Sequence, residues 1–455
     1  MFYKMVVLLI VPMIVQQGVT NFVSLLDNVM VGALGTQQMS GVAIANQLIF
    51  VFNLAVFGGL SGAAIFGAQF FGQGDYVGMR NTMRFKLQFG VIVTVLAIAI
   101  FLLFGGNLVQ LFLENEANAE LDTSVTLDYA RAYLRVIVWG LIPFMLVQVY
   151  AGTLREAGET VVPMIGSVCA IVVNLTLNYA FIYGHFGMPR MEVAGAALAT
   201  VIARYVELAV VVIYTHRRAA ARFPFVHGLY RGVRVPLGLV KKIAITGTPL
   251  LLNEVLWSVG TTFVNQNYST RGLSVVAAMN IESTAWQLFC VIMFAMGNAV
   301  SILVGQKLGA NQVEEAKDVD RKLLFFNLVI HVCIGLLVIA CAPLIPKLYN
   351  TEPEVRSYAM KFLMVAGASL PIHAFIHTAY FTIRSGGKTV ITFFFDSVYT
   401  WCVPVVLSFL LCRYTQLPVV GVFAIVQFSD LIKVFIAVPM LRSGFWAKNL
   451  VSAEK

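Results

Sequence analysis

The stretch "MVVLLIVPMIVQQGVTNFVSLLDNVMVGALG" (residues 5–35) has a single charged side chain, Asp27, in an otherwise apolar run. A bilayer core about 30 Å thick takes roughly 20 apolar residues as helix. The run is long enough to cross, and too long for a secretory leader with a short apolar core. It is expected to be a retained first membrane span. Asp27 is then the anomaly, because a carboxylate in lipid is expensive and by default marks a functional position.

The same pattern continues along the chain. Of 455 residues, 59% are hydrophobic and 12% charged, whereas soluble domains carry roughly a quarter charged. Runs of spanning length fall at 5–31, 42–71, 87–113, 132–154, 161–184, 193–215, 243–268, 276–305, 323–348, 360–383, 390–412 and 418–441. Continuous runs such as "VIVTVLAIAIFLLF" (91–104) lack the period-two alternation of a barrel strand, the only other spanning structure. The expected fold class is an all-α membrane protein of twelve transmembrane helices.

The net charge of +9 does not signal nucleic acid, because the basic residues alternate by loop. One set of loops holds twenty-one Lys and Arg, the opposite set eight, together with the acidic stretch "LENEANAELD" (113–122). The basic side faces the cytoplasm. Both termini and the basic linker 216–242 are therefore expected inside, the linker serving as a topology signal and a contact for lipid headgroups. Cys169, Cys290, Cys333, Cys341, Cys402 and Cys412 lie in apolar runs without metal or redox spacing, and are expected as small core residues.

A shift of 237 places Pro12 on Pro249, Gln69 on Gln306, Gly72 on Gly309 and Arg84 on Arg321 without a gap. A shift of 229 places "LREAGETVV" (154–162) on "IRSGGKTVI" (383–391). The chain is a duplication of six spans. An even number per copy makes both enter from one side, so the copies relate by a pseudo-two-fold axis along the membrane normal. The expected domains are an amino-terminal lobe 1–215, the linker 216–242 and a carboxyl-terminal lobe 243–455, a transporter plan. Glycines in "GAQFFGQGD" (67–75) and "VGQKLGANQ" (304–312) read as left-handed helix caps, and Gly158 as a tight turn.

The spans contain further polar groups. Gln16, Gln17 and Asn21 accompany Asp27 on the first. Glu254 and Glu282 accompany Trp257 and Trp286, which can stack on an organic cation. Arg204 with Glu207 and Asp430 with Lys433 form i,i+3 pairs, read as self-neutralised. Asp396 has no partner in sequence. His373 and His377 share a helix face, and without a third ligand they read as polar cavity lining. No cofactor or metal site is expected, sodium at Asp27 excepted. Neither HExxH, GxSxG nor a P-loop occurs, so hydrolysis and ATP-driven transport have no basis, and an enzyme is not expected.

"DNVMVGALG" (27–35), "GAQFFGQGD", "LREAGETVVP" and their second-half counterparts resemble the multidrug and toxic compound extrusion (MATE) family over essentially the whole chain. "PLLLNEVLWSVG" (249–260) looks nearer the bacterial DinF-like branch than the NorM-like one. The resemblance implies a V-shaped two-lobe bundle, working as a secondary active antiporter that exports cationic or amphipathic drugs in exchange for protons or sodium by alternating access. It implies a cation-coupling site of Asp27, Asn174, Asn178 and Thr200, with Asn178 standing where the family has a second Asp. A substrate cavity is expected from Gln16, Gln17, Asn21, Glu254, Trp257, Glu282, Trp286, His373, His377 and Asp396. The expected setting is a monomer in the bacterial inner membrane, among membrane lipids and without nucleic acid. The alternative, a lipid-linked oligosaccharide flippase of the same superfamily, would call for several basic groups within the spans to hold pyrophosphate. Only Arg204 and Lys433 are found mid-span, each beside an acid.

Overall fold

The computed structural model describes residues 2–115, 123–219 and 222–452. Most of the acidic stretch 113–122 lies outside the described residues. Among these residues the chain is helical and without strands, with twelve helices long and apolar enough to cross a membrane. They are α1 Phe2–Gly32, α2 Thr36–Gln73, α3 Tyr76–Leu111, α4 Ser124–Glu156, α5 Val161–Tyr183, α6 Glu192–Arg217, α7 Leu237–Ser269, α8 Leu273–Gly309, α9 Val313–Cys341, α10 Pro353–Ser385, α11 Thr389–Tyr414 and α12 Val419–Ser443. Helix is the form that satisfies every backbone group without water or a neighbouring strand.

All twelve expected spans are present; most helices run beyond the apolar stretch that announced them, and one ends well short of it. The ninth was read to residue 348, but α9 ends at Cys341 and a short 3₁₀ turn follows at Ile345–Leu348. Pro343 and Pro346 are apolar enough to prolong a hydropathy run, yet they cannot donate to a helix. Three helices are irregular. α4 carries a 3₁₀ turn at Val138–Gly140. α11 has two π-helical turns, Phe394–Val398 and Trp401–Val405, the second around Pro404. α12 is interrupted at Asp430.

The chain forms two compact units, Met1–Gly67 with Tyr76–Lys241, and Ala68–Asp75 with Lys242–Lys455. In the first, α5 packs along α6 and α1 lies on α5. Val42, Ala45, Tyr133, Ala197 and Val201 fill the core. In the second, α10 packs against α8 and α9, with Tyr268, Ile281, Phe362 and Phe423 at one end. Without a hydrophobic drive between helices in lipid, small residues that permit close contact matter more. Gly72 and Gly309 show this within the second unit. A Cβ on Gly72 would stand 1.9 Å from the Gln306 carbonyl oxygen, and one on Gly309 1.9 Å from that of Gln69. Their role is therefore close approach. The left-handed residue after α2 is Gly74, whereas after α8 it is Asn311, so the glycine-cap reading holds in the first copy alone.

The linker is more than a charge run. Phe223, Phe225, Val226 and Leu229 are buried. On α3, Arg80 Nε donates to the Phe225 carbonyl at 3.1 Å, Arg84 to those of Leu229 and Gly228 at 2.9 and 2.7 Å, and Gln88 to that of Val233. Arg222 pairs with Glu159 at 2.8 Å. The apolar residues were hidden among the basic ones because they follow neither helical nor strand spacing. All six cysteines are free; Cys290 and Cys412 are buried, but Cys333 and Cys402 are on the exposed surface rather than in the core.

Candidate functional site

On α1, Gln16, Thr20, Ser24 and Asp27 recur at the spacing of one helix face. On α5, Asn174 and Asn178 are i,i+4 and also share a face. The two helices pack together, and the faces meet. Asn178 Nδ2 donates to Asp27 Oδ1 at 2.6 Å and to Asn174 Oδ1 at 3.1 Å. Asn174 Nδ2 donates to Thr200 Oγ1 on α6 at 3.2 Å. Asp27, Asn178, Asn174 and Thr200 thus form one chain of contacts. The Asn178 Oδ1 is buried and has no hydrogen-bond partner among the described residues.

Asp27 borders two cavities inside the first unit. The larger, about 370 Å³, is lined by Asn46, Asn53, Tyr133, Thr200 and Arg204, with Phe50 and Phe144 as apolar walls. The smaller, about 80 Å³, is lined by Thr20, Ser24, Ser167, Asn174 and Glu207. Arg204 lies over the Phe144 ring at 5.3 Å and pairs with Glu207 at 2.9 Å, as the sequence spacing anticipated. Ser167 donates to Glu207 at 2.6 Å, Gln16 Nε2 to Ser167 at 2.8 Å and Arg155 to Gln16 Oε1 at 3.0 Å. Gln17 and Asn21 bond to each other at 3.0 Å and line neither cavity. Only Gln16 of that trio joins the network, because the other two project from a different face of α1.

The second unit builds its polar centre at the positions the duplication predicts. The shift of 237 takes Gln16 to Asn253, and the shift of 229 takes Ser167 to Asp396 and Arg204 to Lys433. Asn253 Nδ2 donates to Asp396 Oδ2 at 3.0 Å, and Lys433 Nζ reaches Asp396 Oδ1 at 3.3 Å. Ser397 donates to Asn253 Oδ1 at 2.7 Å. Lys433 stands farther from Asp430, at 4.0 Å, and Asp430 meets His373 Nε2 at 3.4 Å. The expected self-contained Asp430–Lys433 pair is therefore a four-membered cluster with Asp396 and His373, and Asp396 does have a partner. The base keeps its place in both units, while the acid nearest it moves from α6 (Glu207) to α11 (Asp396). Asp396 sits on the first π-helical turn, a feature frequent at functional sites.

The remaining candidates separate. Glu282, only 7% exposed, shares a narrow apolar slot with Trp286, Phe289 and Leu363. Trp286 meets His373 edge-on at 5.3 Å. His377 lies against Phe294 at 5.4 Å and Phe381 at 4.8 Å, so the two histidines do not share a ligand. Glu254 is half-buried. Trp257 is 45% exposed and lines none of the cavities described. Among the described residues no three His, Cys, Asp or Glu side chains group to hold a metal. Asn46, Tyr133, Ser167 and Arg155 were missed as site residues by sequence reasoning, whereas Asn253 was noted beside Glu254 but without its partner Asp396.

The MatE family profile matches residues 12–180 and 249–410, once in each half of the chain. The chain belongs to the MatE family. This MatE chain is 25% identical over 434 residues to the "Probable multidrug resistance protein NorM" of Thermotoga maritima, covering 93% of this chain and 89% of that protein. It is 25% identical over 417 residues to the "Probable multidrug resistance protein YoeA" of Bacillus subtilis, covering 91% and 88%. Its fold matches the crystal structure of the Vibrio cholerae MATE transporter VcmN in the bent form with a TM-score of 0.84, at 18% identity and 98% coverage of both chains. MatE proteins are transporters, not enzymes, and this one is a multi-pass membrane protein.

Proposed function

We propose that this chain is a secondary active antiporter that expels cationic or amphipathic organic compounds by alternating access, coupled through Asp27. One observation carries the reading: a lone carboxylate on α1, held by buried Asn178 at 2.6 Å, borders a cavity of about 370 Å³. That volume is in the range of small-molecule pockets, about 300–1,000 Å³. Its polar amides and aromatic walls suit a ligand with an apolar body and a positive centre. The relatives named as multidrug resistance proteins support the substrate class. The loop charge asymmetry supports cytoplasmic termini, and the Thermotoga and Bacillus relatives support a bacterial cytoplasmic membrane. A monomer and a place near the DinF-like branch complete the reading.

The coupling ion in this reading is the proton. Dehydrated sodium wants several oxygens and more than one negative charge, whereas a proton needs one carboxylate. Asn178 turns its amide nitrogen toward Asp27, so this polar chain contains one acid. Glu207 on the same side is matched by Arg204. The flippase alternative is not favoured, since the mid-span bases Arg204 and Lys433 each stand beside an acid. Ethidium transport in proteoliposomes, with pH and sodium gradients imposed separately, tests the proposal. Transport should follow the pH gradient alone; a requirement for sodium with indifference to pH would refute proton coupling.

A further inference from the structure

A further, chemically different cavity of about 470 Å³ lies wholly inside the second unit, between the start of α9 and the end of α12. Lys317, Arg321 and Arg442 line it, with one acid, Asp320, which is buried and accepts a hydrogen bond from the Thr382 hydroxyl. Lys317 is paired with Glu314 at 2.7 Å. Arg321 and Arg442 are exposed and form no ion pair among the described residues. Below these heads the wall is apolar: Leu324, Phe375, Val438 and Leu441. Trp446 is buried beside it, its indole N–H donated to the Leu441 carbonyl at 3.2 Å.

Basic residues at the end of a span are ordinarily a solvated rim. Here the rim continues into an apolar wall, and the wall into lipid-facing surface, with Phe325 on α9 64% exposed and Phe435 on α12 77% exposed. α10, which supplies Phe375, packs against both helices. We propose that this cleft binds an anionic phospholipid, its phosphate held by Arg321 and Arg442 and an acyl chain lying on Leu324, Phe375 and Val438. A free phosphate would leave the apolar wall uncovered. A zwitterionic lipid would bring its own cation against three basic groups.

The test is native mass spectrometry of the purified full chain, titrated with palmitoyl-oleoyl phosphatidylglycerol, with phosphatidylcholine of the same acyl chains, and with inorganic phosphate as a competitor. Phosphatidylglycerol should bind more tightly than phosphatidylcholine. Arg321→Gln and Arg442→Gln should each weaken it about fivefold and together about twenty-fivefold. Arg321→Lys, which keeps the charge, should retain most of the binding. Val438→Trp, which fills the wall without touching the charges, should also weaken it. Arg413→Gln, outside the cleft, should leave it unchanged. Wild-type affinity in the double variant, or an equal loss in Arg413→Gln, would overturn the site. Displacement of the lipid by millimolar inorganic phosphate would overturn the lipid as its occupant.

Discussion

Asp27→Asn separates charge from packing. The asparagine keeps an oxygen to accept from Asn178 Nδ2, which stands 2.6 Å from Oδ1, so the contact between α1 and α5 survives. Arg204 keeps Glu207 at 2.9 Å. What disappears is the one titratable group in the chain from Asp27 to Thr200. If one proton is exchanged for one monovalent cation, a gradient of one pH unit supplies about 1.36 kcal/mol. That free energy sustains about a tenfold substrate ratio. The exchange is electroneutral, so clamping the membrane potential should not change the ratio. In proteoliposomes with ethidium as substrate, the native chain should approach that ratio. Asp27→Asn, reconstituted in equal amount, should reach a ratio of one. A variant that still concentrates ethidium near tenfold would show that the carboxylate does not carry the proton.

Three further expectations concern other parts of the chain. Lys86 and Glu156 are 2% and 5% exposed, with Lys86 Nζ 2.5 and 2.6 Å from the two carboxylate oxygens. Glu156→Gln strands a buried ammonium and should cost about 3–5 kcal/mol, most of it recovered in the double variant Lys86→Met with Glu156→Met; a small shift in thermal unfolding in detergent would mean that water reaches the pair. Asn178→Asp adds a second carboxylate beside Asp27 and should make transport depend on sodium, and an unchanged sodium response in flux assays would count against a coupling role for this chain of contacts. A cysteine at Arg234, in a background without the exposed Cys333 and Cys402, should react with an impermeant maleimide only from the cytoplasmic side. Labelling in intact cells would reverse the assigned orientation.

The spans were legible because lipid demands what sequence displays, an uninterrupted apolar run. The duplication was legible because Pro12 and Pro249 lie inside α1 and α7 at matching depth. Asp27 stood out as the lone acid of its span, and the family resemblance supplied its partners Asn174, Asn178 and Thr200. Contacts that depend on irregular backbone were hidden. Spacing offered Lys433 to Asp430, three residues away, yet Asp396 lies closer, 37 residues away in sequence. The wide turns of α11 alter which face Asp396 occupies, and only Pro404 hints at them. Trp257 was placed in a cavity from its residue type, and it is 45% exposed on α7. The linker's buried phenylalanines were overlooked because charge dominated the reading of that segment.

Gln69 imposes an order on the birth of the protein. Its side chain is fully buried, and its amide nitrogen is satisfied by the carbonyls of Ser385, at 2.9 Å, and Lys448, at 3.2 Å. Its oxygen accepts from Leu450 N at 2.7 Å. Lys448 is made 379 residues after Gln69. At a synthesis rate of about 5–20 residues per second, the glutamine waits roughly 20–75 s for these partners. During that interval the last turns of α2 hold an amide whose partners in the tail have not yet been made. Lys448 and Leu450 therefore act late and at a distance, completing the end of a helix made long before them.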